Sequence, residues 1–215
     1  KFFSKSVGLK GAFLYAVSPG AVFLDRWVVP TQPTILWSVW FLYVLLSILK
    51  GNFQILIPLS ILIGLIWHVH IAFIPLLILL PVAYLLSDKK NYKFKVSLKT
   101  LMISAVVLFG LISPFVVFET RHGFQQIKSL INATYQDKGD LTGGDRLTKV
   151  ITSGGSSLAG AFTLSGTVIQ LNPLLTGSLP FLLLMGISYL WYKRVLSKSQ
   201  TILFVSWYAT VFLGQ

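Results

Sequence analysis

The sequence predicts an all-α fold: a polytopic transmembrane helical bundle of about seven spans, with an outer-face loop that contains an interfacial helix. Three observations carry this. Hydrophobic residues make up 54% of the chain and charged residues only 11%, with a mean hydropathy of +0.77; a soluble domain has roughly 25% charged residues. Apolar runs at 31–49, 53–86 and 100–118 are about as long as a helix crossing ~30 Å of hydrocarbon needs to be. Those runs are apolar on every side, whereas the strands of a membrane β-barrel alternate apolar with polar.

Taken in order, the expected spans are 11–28, 34–50, 53–68, 70–86, 99–118, 174–192 and 200–215. Successive spans alternate in direction, so their connections fall into two sets. The N-terminal flank, 50–52, 87–99 and 193–200 together hold 12 Lys and Arg against one acid, Asp88, a net +11. The other set, 25–33, 67–71 and 119–173, holds 6 basic residues against 5 acids, a net +1. Lysine and arginine are retained on the cytoplasmic side, so the first set is expected inside and the second outside.

The same charge split divides 53–86. As one helix these 34 residues would reach about 51 Å at 1.5 Å per residue, too long for one span. One helix would also place Lys50 and the lysines of 89–99 on opposite sides. Two spans with a turn near Trp67–Ile71 keep them together, and a tryptophan suits a membrane interface. "GLIWHVHIAF" then puts His68 and His70 at the outer end of a hairpin rather than at mid-bilayer. His122 follows Arg121 just beyond the span that ends near Phe118, and Arg26 lies on the same side. Three histidines and two arginines therefore gather on the outer rim. They serve either as interfacial anchors or as a cationic pocket for an anionic head group; ionisable groups at a membrane rim are functional candidates by default.

The long segment 119–173 is expected outside. Within it Phe124, Ile127, Leu130, Ile131 and Tyr135 recur at helical spacing, with Gln125, Gln126 and Lys128 off that face. This predicts a helix lying flat on the outer surface. "DKGDLTGGDR" reads as a polar turn; its three aspartates lack the spacing and terminal glutamate of an EF-hand. "TSGGSSLAGAF" fits a re-entrant piece or a closely packed helix, and has no Walker lysine. Asn132-Ala133-Thr134 matches a glycosylation sequon.

Several chemistries are disfavoured. There is no cysteine, which removes disulfides and thiolate metal sites. No Ser-His-Asp set, carboxylate pair or metal-ligand spacing stands out. The net charge of +12 is accounted for by the asymmetry across the bilayer, without nucleic acid. The chain begins at Lys1 without a methionine and stops within an apolar run. It is expected to be an interior piece of a longer protein, all of 1–215 being part of one transmembrane domain.

Three stretches carry a family resemblance. "AFLYAVSPGAVFLDRW" resembles the third-to-fourth helix region of GT-C membrane glycosyltransferases, in the branch with protein O-mannosyltransferases and lipid A aminoarabinose transferases. "ILIGLIWHVHIAFIPLLIL" is similar to that family's Gly-Leu-x-x-x-x-His hairpin, with Gly64, Leu65 and His70 in the matching places. "ISPFVVFETRHGFQQI" resembles its Pro-aromatic-x-x-aromatic-Glu-x-Arg-His-Gly-Phe stretch. The resemblance covers most of the chain. It implies transfer of a sugar from a polyprenyl-phosphate donor to a lipid, glycan or protein acceptor, at the outer face of a prokaryotic plasma membrane. It also implies that the base, a carboxylate in the first outer loop, lies upstream of Lys1. Many relatives carry an Asp a few residues after the fourth-helix arginine; here Thr31 and Gln32 stand instead, and Asp25 precedes the arginine. Gln32 is the polar candidate at that family position. No cofactor is required by the resemblance, although a divalent metal is compatible with it.

The residues fit this chemistry. A departing lipid phosphate gathers negative charge, which cations at the water–lipid boundary stabilise. Arginine offers phosphate a two-pronged fork and histidine a hydrogen bond. Arg26, His70, Arg121 and His122 are the expected donor-phosphate ligands, followed by His68. A flippase or transporter of lipid-linked glycans is the competing expectation; it would place polar groups at mid-bilayer between broken helices. A non-catalytic scaffold is the third, and does not account for the cationic rim.

Overall fold

The computed structural model describes residues 3–19, 21–22, 33–87, 96–135, 148, 151–153, 155–156 and 173–213. Their regular structure is helical, with no strand among the described residues. The principal helices are α1 (Lys5–Val17), α2 (Thr34–Leu49), α3 (Leu56–Val69), α4 (Leu79–Leu85), α5 (Leu98–Arg121), α6 (Gln125–Tyr135), α7 (Pro173–Tyr192) and α8 (Lys198–Leu213). Two 3₁₀ segments, Phe53–Ile55 and Ile71–Ile78, flank α3. The chain forms two compact units, one of residues 33–142 and one of residues 1–32 with 143–215.

Local chemistry sets the boundaries. The Ser4 hydroxyl accepts from Val7 N–H at 3.3 Å, so α1 starts ahead of the expected residue 11. It stops at Val17 because Ser18, ahead of Pro19, adopts extended backbone. Lys50–Asn52 closes α2: Gly51 has φ +71°, its N–H donates to Ile48 O at 2.8 Å, and Asn52 N–H donates to Ser47 O at 3.1 Å. This is a Schellman end, which places a left-handed residue where glycine costs least. α3 ends as expected near residue 68, where His70 turns to φ −166°, ψ 122°. α8 opens with a capping box: Gln200 N–H donates to Ser197 Oγ at 3.3 Å, and Ser197 N–H donates to Gln200 Oε1 at 2.9 Å.

Among the described residues one helix, α5, is long and apolar enough to cross a membrane, at 24 residues and a hydropathy of 2.5. Its rise of about 36 Å exceeds the ~30 Å of a hydrocarbon core. The other apolar helices, Thr34–Leu49, Leu56–Val69, Ile71–Leu85 and Gly177–Tyr192, are shorter. The expectation of seven membrane-length helices is thus met by one. Turn residues explain the difference: Pro33 and Gly51 bound α2, and His70 cuts α3 from the 3₁₀ segment, which contains Pro75.

In the unit of residues 33–142, α2 runs antiparallel to α3, and α3 lies along α5. Phe41, Val44, Leu45, Leu79 and Ala83 are wholly buried. Trp37 ties α2 to α3, its Nε1–H donating to Leu62 O at 2.8 Å. Its ring stacks on Phe73 with centroids 4.5 Å apart. In the other unit α7 packs against α8. Their connection passes through Arg194 at φ +56°, and Leu196 and Leu203 are buried.

Candidate functional site

The site begins with how α3 meets α5. Gly64 faces Leu111 so closely that a Cβ on residue 64 would stand 2.6 Å from the Leu111 Cβ. One turn further, Trp67 stacks on Phe115 with centroids 4.4 Å apart. The residue numbers rise together on both helices, so α3 and α5 are parallel and their C-terminal ends share one end of the unit. His70 follows α3, and Arg121 closes α5.

A proline explains where His68 points. Pro114 has no N–H to give Gly110 O, and its ring loosens the helix there. The Ser113 hydroxyl donates to Gly110 O at 2.9 Å. One residue on, His68 Nε2 bonds Leu111 O at 2.8 Å. A carbonyl can only accept, so Nε2 carries the proton. His68 is thus an interhelical strut one turn ahead of Pro114 in α5.

His70 is bound differently. Its Nδ1 accepts from Ala72 N–H at 3.1 Å and caps the 3₁₀ segment. A capping Nδ1 is unprotonated, so the neutral ring carries its proton on Nε2, which makes no hydrogen bond among the described residues. His122 has the reverse pattern: Nδ1–H donates to Phe118 O at 2.7 Å, and the ring stacks on Phe118 at 4.1 Å. The residue is exposed, as is Arg121 beside it. Each imidazole therefore spends one nitrogen on backbone and keeps the other.

At the same end, a cavity of about 390 Å³ lies between α2 and α3. Pro33 and Val69 line one end of it, and Trp40 and Pro58 the other. Its walls are almost wholly apolar. Val69 is adjacent in sequence to His70, so an apolar groove and the imidazole rim adjoin.

His70, Arg121 and His122 thus share one end of the α3–α5 pair, though no hydrogen bond or ring contact joins His70 to the other two among the described residues. Arg26 and Gln32 lie outside the described residues, as do Thr31, Asp25 and the aspartates of 137–145. Among the described residues no group of three or more His, Asp or Glu is placed to hold a metal ion. The helix expected from the apolar spacing of 124–135 is present as α6, with Ile131 exposed and Phe124 exposed just ahead of it.

Sequence reasoning passed over Glu119. It is 1% exposed, at the last turn of α5. Its Oε2 accepts from Ile127 N–H at 3.3 Å, and Oε1 has no hydrogen-bond partner among the described residues. The available signal was a carboxylate at the negative end of a helix dipole, four residues before a glycine. No protein-family model, curated protein or solved structure matches this chain.

Proposed function

We propose that this chain belongs to a multi-pass membrane glycosyltransferase. It moves a sugar from a polyprenyl-phosphate donor to an acceptor at the outer face, with His70, Arg121 and His122 binding the donor phosphate. One observation carries the reading: His70, at the end that α3 shares with Arg121 and His122 of α5, directly follows Val69, which lines an apolar groove between α2 and α3. A lipid phosphate needs that pairing, with a dry wall for its chain and donors for its head. The resemblance of the Gly64–His70 and Pro114–Phe124 stretches to GT-C enzymes supports the same reading. The charge split expected between the two sets of connections, +11 against +1, supports an outer placement of this end.

The test is transfer from a polyprenyl-phosphate sugar by the full-length protein in detergent, with folding followed separately. Arg121→Ala is expected to lower donor turnover by about one to two orders of magnitude, the worth of a charged hydrogen bond. Arg121→Lys should recover only part, since the fork is lost. Wild-type rates in both variants would reduce these residues to interfacial anchors.

The 3₁₀ segment at Ile71–Ile78 favours a second reading, a flippase of lipid-linked glycans, because transporters bind substrate at interrupted helices. Movement of a labelled lipid-linked glycan between leaflets without sugar transfer would decide for it.

A further inference from the structure

The corner between α5 and α6 is built on one residue. Glu119 sits where a carboxylate opposes the negative end of the α5 dipole. It is nevertheless buried, at 1% exposure. Its backbone oxygen accepts from His122 N–H at 3.2 Å and from Phe124 N–H at 2.9 Å, across Gly123 at φ +66°. The bond from Phe124 is that of a Schellman end, which stops α5.

The next helix then begins without a cap of its own. Phe124 O accepts the first helical bond of α6, from Lys128 N–H at 2.9 Å. Phe124 therefore stands at the capping position, and its side chain has no acceptor to offer. It is also held at φ +59°, a left-handed backbone that a phenylalanine rarely adopts. The missing acceptor comes from the preceding helix: Glu119 Oε2 takes the N–H of Ile127, the third residue of α6. That is the N–H a capping Ser or Asp would take, at the end of a helix where negative charge is favoured.

Arg121 and His122 lie inside this closed loop. His122 is fixed again by Nδ1–H on Phe118 O and by its stack on the Phe118 ring. The two groups are thereby presented with little backbone freedom left to lose on binding an anion, which is how preorganisation raises affinity.

We infer that Glu119 is a positioning residue: its carboxylate caps α6 from the end of α5 and so holds Arg121 and His122 in the arrangement that receives the donor phosphate. The phosphate half of this rests on the transferase reading above; the capping half does not. Reach, and not charge, is what the latch needs. Glutamine keeps an oxygen at the same distance, aspartate keeps the charge but is one methylene short, and alanine keeps neither.

The experiment compares Glu119→Gln, Glu119→Asp and Glu119→Ala in the full-length protein. Amide hydrogen exchange over 125–131 reads the cap, and KM and kcat for a polyprenyl-phosphate sugar read the presentation. Binding of polyprenyl phosphate in nanodiscs is measured alongside. Aspartate and alanine are expected to speed exchange at Ile127 by about tenfold, the scale of a lost helix cap, with glutamine near wild type. KM should rise about tenfold in the same two variants, while kcat stays within about threefold, because only binding is preorganised. Unchanged exchange in the aspartate variant overturns the cap. Faster exchange with unchanged KM and unchanged phosphate binding overturns the positioning role. Glutamine folds in the same shape, so a loss of exchange protection there also overturns it. If the wild-type protein neither transfers sugar nor binds polyprenyl phosphate, the transferase reading fails and the phosphate half with it, while the exchange data still decide the cap.

Discussion

At the scale of single residues, the three histidines are not equivalent. His68 spends Nε2–H on Leu111 O, close to Pro114. Removing it should cost about 0.5–1.5 kcal/mol, as one intramolecular hydrogen bond does, and less where lipid surrounds the pair. His68→Ala is therefore expected to lower the melting temperature in detergent while changing donor KM far less than Arg121→Ala does. Equal KM effects from the two would return His68 to the phosphate site. His70 combines two roles, a cap through Nδ1 and an Nε2–H that makes no hydrogen bond among the described residues. Asparagine can cap as well as histidine, whereas alanine loses roughly 0.5–2 kcal/mol. His70→Asn should thus keep wild-type stability yet lower donor turnover by about tenfold, the worth of one charged hydrogen bond. Full activity in that variant would leave the imidazole as a cap alone.

Between elements, the α3–α5 contact sets the geometry of the rim. It depends on Gly64, where an added Cβ would meet the Leu111 Cβ at 2.6 Å. That atom is fixed to the backbone, so the helices themselves must part. Gly64→Ala should destabilise the protein by about 1–3 kcal/mol, the usual cost of overpacking. Adding Leu111→Ala should not rescue it, because the clashing Cβ remains; rescue would mean that only the flexible end of Leu111 was in the way. Thermal unfolding of the single and double variants checks this. α5 carries a second dependence, on Ser113. Its hydroxyl covers the Gly110 carbonyl that Pro114 cannot reach. In hydrocarbon an uncovered carbonyl is costly, so Ser113→Ala should destabilise α5 by about 1 kcal/mol.

For the whole molecule, the lysine asymmetry makes a topological prediction. Lys99 and Ser129 are both exposed, at the start of α5 and within α6. Cysteines at these positions should label from opposite sides of the membrane, Lys99 from the cytoplasm and Ser129 from outside. Labelling of both by one impermeant reagent in intact cells would overturn the orientation. Much of the architecture was legible for physical reasons that act locally. The break at His70 followed from a length limit on any single helix, and the helix at Gln125–Tyr135 followed from apolar spacing. The start of α1 was misjudged because Ser4 caps it ahead of the apolar run. Helices within the apolar runs 31–49 and 53–86 came out shorter than a membrane span because Pro33 precedes the start of α2 and the chain turns at His70.

The sequence by itself determined that the chain is helical and apolar and where several of its helices break. Those properties depend on side-chain hydropathy, proline, glycine and capping residues read within a few positions of one another. Only the tertiary structure decided that α3 runs alongside α5 in parallel, through a glycine whose partner is 47 residues away. It alone decided which nitrogen of each imidazole is already taken. It alone also turned Glu119 from one more charge near a membrane rim into the cap of the following helix. A hydrogen bond depends on where two atoms meet in space, and spacing along the chain carries no record of that once the backbone turns a corner.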